Sequence, residues 1–205
     1  MNWLLELDRD IFLFLNGLHA PWLDHVMWWI SQTKTWIPLY LVLLILIIYK
    51  ERRFRFLYTL LFLTLTIVLA DQISGLIKDL VERPRPTRNV EIGELVHTVK
   101  GYRGGAYGFV SSHAANVFAV ATFLAHQIRN PKWSILLYIW AIIVSYSRIY
   151  LGVHYPLDIL CGAILGVIIG IQCYIIRLRT SIFVERKARL YKEKKRKREK
   201  SGDRQ

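Results

Sequence analysis

The chain has 205 residues, 54% of them hydrophobic and only 21% charged, with seven Trp and a formal charge of +13. This excludes a disordered chain, a collagen-like repeat and a small disulfide-stapled module. The charge is not a nucleic-acid footprint, because it gathers in a tail: from Arg177 onward 13 Lys/Arg face four Asp/Glu, against 15 and 11 in the rest.

Leu4, Leu7, Ile11 and Leu15 recur at helical spacing, with Glu6, Asp8, Arg9 and Asp10 between them. The pattern predicts an amphipathic interfacial helix that stops at Asn16-Gly17. The acidic start is not that of a cleavable signal peptide. A second short helix is expected from Pro21, carrying Trp22, Trp28 and Trp29, the residue type of an aromatic belt. Five apolar runs then follow, at residues 36–49, 54–77, 112–127, 133–147 and 154–176. Each approaches the roughly 20 residues that cross a bilayer, the third and fourth being short. The expected fold is an all-α polytopic membrane bundle of five spans, or six if residues 10–30 insert. Its divisions are N-terminal interfacial helices (1–34), a membrane domain (35–177) and a basic tail (178–205). No internal repeat is visible.

Cys161 and Cys173 share the fifth run. On a helix they lie about 18 Å apart, too far to bridge. Lys50, Arg52, Arg53 and Arg55 separate the first two runs, Arg129 and Lys132 separate the third and fourth, and the basic tail follows the fifth. If the five spans alternate, all three basic segments fall on one side, which the positive-inside rule makes cytoplasmic. Residues 79–111 and 148–153 then face outward.

The outward ends of the spans carry the chemistry. Lys78 and Arg85-Pro86 follow the second span, Ser111-Ser112-His113 open the third, Ser147-Arg148 end the fourth, and His154 and Asp158 open the fifth. Ionisable groups at such positions are costly and mark a functional site. Three cations suit a phosphate and its transition state, and a helix start offers free N–H groups to an anion. Ser111 adds a hydroxyl donor. His154 and Asp158, at i and i+4, are expected on one helix face, with the Asp fixing the His tautomer. His113 can donate a proton to a leaving oxygen. Two ligands beside three cations make a poor metal site.

These residues resemble the type 2 phosphatidic acid phosphatase (PAP2) family, which includes bacterial lipid phosphatases and vanadium haloperoxidases. Its three signatures are K-x6-R-P, P-S-G-H and S-R-x5-H-x3-D. The first is complete from Lys78 to Arg85-Pro86, and the third from Ser147-Arg148 through His154 to Asp158. The second reads Val110-Ser111-Ser112-His113, with Val for Pro and Ser for Gly. The resemblance covers residues 36–176. It implies His154 as nucleophile, Asp158 as its orienting partner and His113 as general acid. Lys78, Arg85, Ser111, Ser112 (through its N–H) and Arg148 would hold the phosphate, with no metal and no cofactor. Ser112 adds a side chain where the family brings backbone to phosphate.

Arg83, beside Arg85, is expected in the supporting role of a flanking charge that snorkels to lipid phosphates. Asp71, Gln72 and Asn116 are read as interhelical hydrogen-bonders. Gly162, Gly166 and Gly170 are read as a close-packing stripe, within the bundle or in a homodimer. The expected activity is hydrolysis of a lipid phosphomonoester or diphosphate at the outer face of the cytoplasmic membrane, through a phosphohistidine. Undecaprenyl diphosphate, lipid A phosphate and phosphatidylglycerol phosphate are the candidates the resemblance supplies. A phosphotransferase using the same intermediate and a catalytically silent scaffold or transporter stand as alternatives. Membrane lipids are the expected surroundings and nucleic acid is not an expected partner.

Overall fold

The computed structural model describes residues 2–51 and 53–202, without the side chains of residues 2, 53, 54 and 194–202; Met1, Arg52 and the last three residues of the tail lie outside this set. Seven α-helices follow in order: α1 Asn2–Gly17, α2 Pro21–Ser31, α3 Ile37–Lys50, α4 Arg53–Val81, α5 Ser112–Ile128, α6 Pro131–Tyr150 and α7 Pro156–Gly202. A 3₁₀ turn, Thr33–Trp36, leads into α3. Among the described residues four segments are long and apolar enough to cross a membrane: Thr33–Lys50, Arg55–Val81, Pro131–Tyr150 and Pro156–Glu193. The expected third span is α5, which has 17 residues. The helices α1 and α2, with 16 and 11 residues, are separated at residues 18–20 and are each shorter than a full span.

Four of these helices, α2, α3, α6 and α7, carry Pro in the first turn, where its missing N–H costs nothing. Asn130 caps α6 by accepting from the Lys132 and Trp133 N–H groups. Arg129 closes α5 in the left-handed region at φ 53°, and its N–H reaches the Ala125 carbonyl.

The helix α5 is the axis of the bundle. Its small residues Ala114, Ala115, Ala119 and Ala121 are fully buried. It packs against α4, α6 and, most closely, α7. The glycine stripe on α7 is what lets the two backbones approach. A Cβ at Gly162, Gly166 or Gly170 would lie 2.6, 2.3 or 2.6 Å from the carbonyl oxygens of Ser111, Ala115 and Ala119. The stripe is therefore used inside the bundle. Asn116 of α5 donates to Asp71 of α4 at 3.4 Å, an interhelical bond as expected, whereas Gln72 is exposed.

The basic segments meet at the end of the bundle away from residues 78 and 148. Lys50 donates to the Ile128 carbonyl, Arg55 pairs with Glu185, and Arg177 is buried against Glu51 and Thr59. About 30 Å of α7 separates Asp158 from Arg177, the thickness of a bilayer core.

The helix α1 is amphipathic, but its faces are turned the other way from those of a helix lying on a water-soluble core. Leu4, Leu7 and Ile11 are exposed, while Asp8, Phe12 and Asn16 are buried. Asn16 donates to the carbonyls of His97, Ile149 and Tyr150 and accepts from the His97 N–H. One side chain thus ties α1 to both the loop between α4 and α5 and the end of α6.

A paired substitution tests the α5–α7 contact. Gly166→Ala drives a Cβ into the Ala115 carbonyl and lowers the thermal unfolding midpoint in detergent. Gly75→Ala on α4, with nothing within 4 Å, leaves or raises it, since Ala is favoured over Gly in a helix by about 1 kcal/mol. Equal midpoints would contradict the packing described.

Candidate active site

Every expected site residue sits at a helix end or in the loop joining two such ends. Lys78 is in the last turn of α4 and Arg148 in the last turn of α6. His113 is in the first turn of α5, Asp158 in the first turn of α7, and Arg85 on the loop after α4. Lys78, Arg85, Ser112, His113, Arg148 and His154 line one cavity of about 790 Å³. Beyond them the same cavity runs along Trp36, Tyr40, Leu43, Val117, Val120 and Leu124. It is a polar head opening into an apolar groove between helices.

The three lining cations are held by neutral partners. Lys78 donates to the Ser112 hydroxyl at 2.8 Å, and Ser74 donates to the same oxygen at 2.9 Å. Arg85 donates to the carbonyls of Tyr107 and Val153 at 2.9 and 3.3 Å. Arg148, 3% exposed, donates to Ser31 of α2 and to the Tyr102 hydroxyl of the loop between α4 and α5. These bonds fix the side chains without cancelling their charge. Burial, and then the neighbouring Arg148 charge, pull Arg85 below its ordinary value. The cluster repels itself, and an anionic phosphate relieves that repulsion.

His154 is 1% exposed. Its Nε2 lies 3.5 Å from Arg85 Nη1, on the cavity side, and its Nδ1 lies 3.5 Å from Asp158 Oδ2. Asp158, fully buried behind the histidine, accepts from the Tyr155 N–H at 3.0 Å and from Arg83 Nη1 at 2.8 Å. Arg83 also bonds Asp8 of α1 at 2.7 Å, and Asp8 accepts from the Leu157 N–H at 2.8 Å. With Nδ1 facing a carboxylate, the proton belongs on Nδ1 and the lone pair on Nε2. Two glycines leave room for this. A Cβ at Gly108 would meet Asp158 Oδ2 at 2.9 Å. Gly104, at φ +66°, would put one 2.6 Å from Arg85 Nη1.

Two expectations change. His154 does not share a helix face with Asp158: α7 starts at Pro156, so the histidine lies in the turn before it. Tyr155 precedes proline and is steered away from helical dihedrals, which lets His154 swing back over Asp158. Ser111 is fully buried and caps α5; its hydroxyl accepts from the Ala114 N–H and its own N–H donates to the Asp158 carbonyl. It stands behind the cavity wall rather than among the lining residues, where its expected role as a phosphate donor would place it.

Sequence reading passed over Asp8, Ser31 and Tyr102, because each lies far along the chain from the group it holds. For Asp8 a signal was present: it sits at i−4 from Phe12 and i−8 from Asn16, one stripe on α1. Arg83, expected to support, is the bridge between two carboxylates. Among the described residues no group of three or more His, Cys, Asp or Glu could hold a metal ion.

A model of the PAP2 superfamily matches residues 59–181. The chain is 38% identical over 168 residues to a lipid A 4'-phosphatase of Bacteroides thetaiotaomicron, covering 81% of this chain and 75% of that one. It is 27% identical to the undecaprenyl-diphosphatase BcrC of Bacillus subtilis, covering 90% and 92%. It also superposes on the crystal structure of a transmembrane PAP2-type phosphatidylglycerolphosphate phosphatase of Bacillus subtilis with a TM-score of 0.69. That match is at 21% identity over 87% of this chain and 88% of that one, a likeness of fold. Signatures, fold and relatives agree, and the chain belongs to the PAP2 superfamily as a multi-pass membrane lipid phosphatase.

Proposed function

We propose that this enzyme removes a phosphate monoester from lipid A, by way of a phosphohistidine, on the outer face of a five-span bundle. The observation that carries the reaction is the shared cavity: His113, His154 and three cations with neutral partners stand at the mouth of a groove lined by hydrocarbon side chains. A phosphate fits the mouth and its acyl chains fit the groove. The choice of lipid A follows the Bacteroides relative. The BcrC relative favours a second reading, a lipid diphosphate such as undecaprenyl diphosphate. Phosphate release from a purified panel of lipid A, undecaprenyl diphosphate and phosphatidylglycerol phosphate decides among them. The reading expects lipid A to give the highest kcat/KM.

In the proposed chemistry His154 Nε2 attacks phosphorus while the bond to the lipid oxygen breaks. His113 gives that oxygen its proton, and Lys78, Arg85 and Arg148 stabilise the charge on the remaining oxygens. Asp158 balances the cationic phosphoimidazole. A water molecule then attacks phosphorus as the phosphorus–nitrogen bond breaks, returning a proton to His113 and freeing inorganic phosphate and neutral His154. The five-span count takes α5 as a span; its neighbours on both sides, α4 and α6, are long enough to cross.

The two histidines separate by leaving group. General acid catalysis is worth about 10²–10⁴-fold. A lipid alkoxide needs the proton and p-nitrophenolate does not. His113→Ala therefore loses nearly all lipid phosphate hydrolysis but keeps much more of its p-nitrophenyl phosphate turnover, and His154→Ala loses both. Rescue in His154→Ala instead would exchange the roles.

Lys78, Arg85 and Arg148 supply the positive charge that a metal supplies elsewhere. Activity is expected to survive excess EDTA and to be inhibited by vanadate. Loss on chelation that added metal restores would overturn this.

Orientation is tested at Val90, which is fully exposed on the outer loop. With Cys161 and Cys173 replaced, Val90→Cys is expected to react with an impermeant thiol reagent in intact cells. Reaction only after lysis would place the active site and the basic tail on the opposite sides.

A further inference from the structure

The buried Asp8 lies outside the segment that matches the family, on a helix whose sequence reads as peripheral. Its side chain is 1% exposed, and both of its oxygens are engaged at the active site. One accepts from Arg83 Nη2 at 2.7 Å, the other from the Leu157 N–H at 2.8 Å, in the first turn of the helix that carries Asp158. Arg83 spends its second terminal nitrogen on Asp158 Oδ1 at 2.8 Å. The guanidinium also rests 4.1 Å from the centre of the Tyr155 ring, and Phe12, one turn along α1 from Asp8, meets that same ring edge-on at 5.3 Å. Hydrogen bonds run from Asp8 through Arg83 to Asp158, whose other oxygen lies 3.5 Å from His154 Nδ1, and α1 holds the far end of this relay.

A single guanidinium shared by two carboxylates is a specific electrostatic arrangement. With Asp158 alone, Arg83 would form a neutral pair and draw charge away from the oxygen that faces His154. With Asp8 present, Arg83 divides its charge between two carboxylates, and the group of three keeps a net negative charge beside the imidazole. That charge matters only when His154 becomes cationic, as its Nε2 bonds to phosphorus while Nδ1 keeps its proton. The guanidinium is also held at both terminal nitrogens, which fixes Asp158 Oδ1 and leaves Oδ2 3.5 Å from Nδ1.

We propose that Asp8 is a positioning residue for phosphoryl transfer, acting on His154 through Arg83 and Asp158. This rests on the reading of His154 as nucleophile.

The test uses the full-length enzyme in detergent with p-nitrophenyl phosphate, whose leaving group needs no proton, so that the rate reports the attack of His154. Asp8→Asn keeps the size of the side chain and removes its charge. It is expected to lower kcat about 10–100-fold, as loss of an outer hydrogen-bonding partner does at comparable sites, with KM within about twofold. Asp8→Glu is expected to recover part of the loss. Arg83→Gln is also expected to lower kcat, and adding Asp8→Asn to it lowers kcat little further, because the two act as one unit. A folded Asp8→Asn enzyme with unchanged kcat would overturn the proposal. So would a loss seen only in KM, or losses that multiply in the double variant. If Asp8→Asn fails to fold, Arg83→Lys decides: an ammonium keeps the charge but cannot span both carboxylates in a fork. Lowered kcat supports the relay and unchanged kcat overturns it. Failure of the nucleophile reading would appear separately, as activity retained by His154→Ala, whatever the Asp8 variants do.

Discussion

The approach of α7 to α5 is the constraint on which the site depends. With no side chain at Gly162, Gly166 and Gly170, the two backbones come close enough for the Ser111 N–H to bond the Asp158 carbonyl at 3.0 Å. That bond fixes the start of α5 against the first turn of α7. His113 and His154 belong to two chain segments more than forty residues apart, and they line one cavity because these two helix starts are pinned together. In a membrane the hydrophobic effect does not press helices together, so close packing and hydrogen bonds must set such a distance.

The two ends of the bundle handle charge in opposite ways. At the end carrying the basic segments, cations meet carboxylates: Arg177 with Glu51, Arg55 with Glu185. At the site end, the cations that face the cavity are held by hydroxyls and carbonyls, while Arg83, which meets two carboxylates, stands behind the nucleophile. The same residue type thus acts as a structural tie or as a phosphate-binding charge according to its partner. Arg83 and Arg85, two positions apart in the sequence, fall on either side of that division.

Much of this was legible in the sequence. The first four apolar runs give their helices to within a few residues, whereas α7 continues well past the fifth run, to Gly202, through the basic tail; Lys78, Arg85, His113, Arg148, His154 and Asp158 announce themselves by spacing and by position at span ends. What was not legible has physical causes. A helix face is read on the assumption that water lies outside. For α1 the outside is apolar, so the leucines face out and Asp8, which looked like a solvent residue, is buried. The i, i+4 spacing of His154 and Asp158 reads as one helix turn, but Pro156 begins the helix between them. Ser111 reads as a ligand because it precedes His113, yet a serine at the start of a helix equally serves as its cap, and the hydrogen bonds choose the latter. Ser31 and Tyr102 carry no pattern, since their relation to Arg148 exists only in three dimensions.

The neutral holders of the cavity cations also set which sequence drift the enzyme tolerates. Ser31, Ser112 and Tyr102 each hold Arg148 or Lys78 through an uncharged hydroxyl oxygen, and the Tyr102 ring also faces the Arg148 guanidinium. Another uncharged acceptor at any of these places preserves both the geometry and the field. An acidic residue would form a tighter contact and strengthen the fold, yet it would remove one positive charge from the cavity. Selection for stability and selection for turnover therefore pull these three positions apart. A thermostabilising screen that samples them freely would drift toward aspartate and glutamate, and would return sturdy proteins that had lost their catalyst.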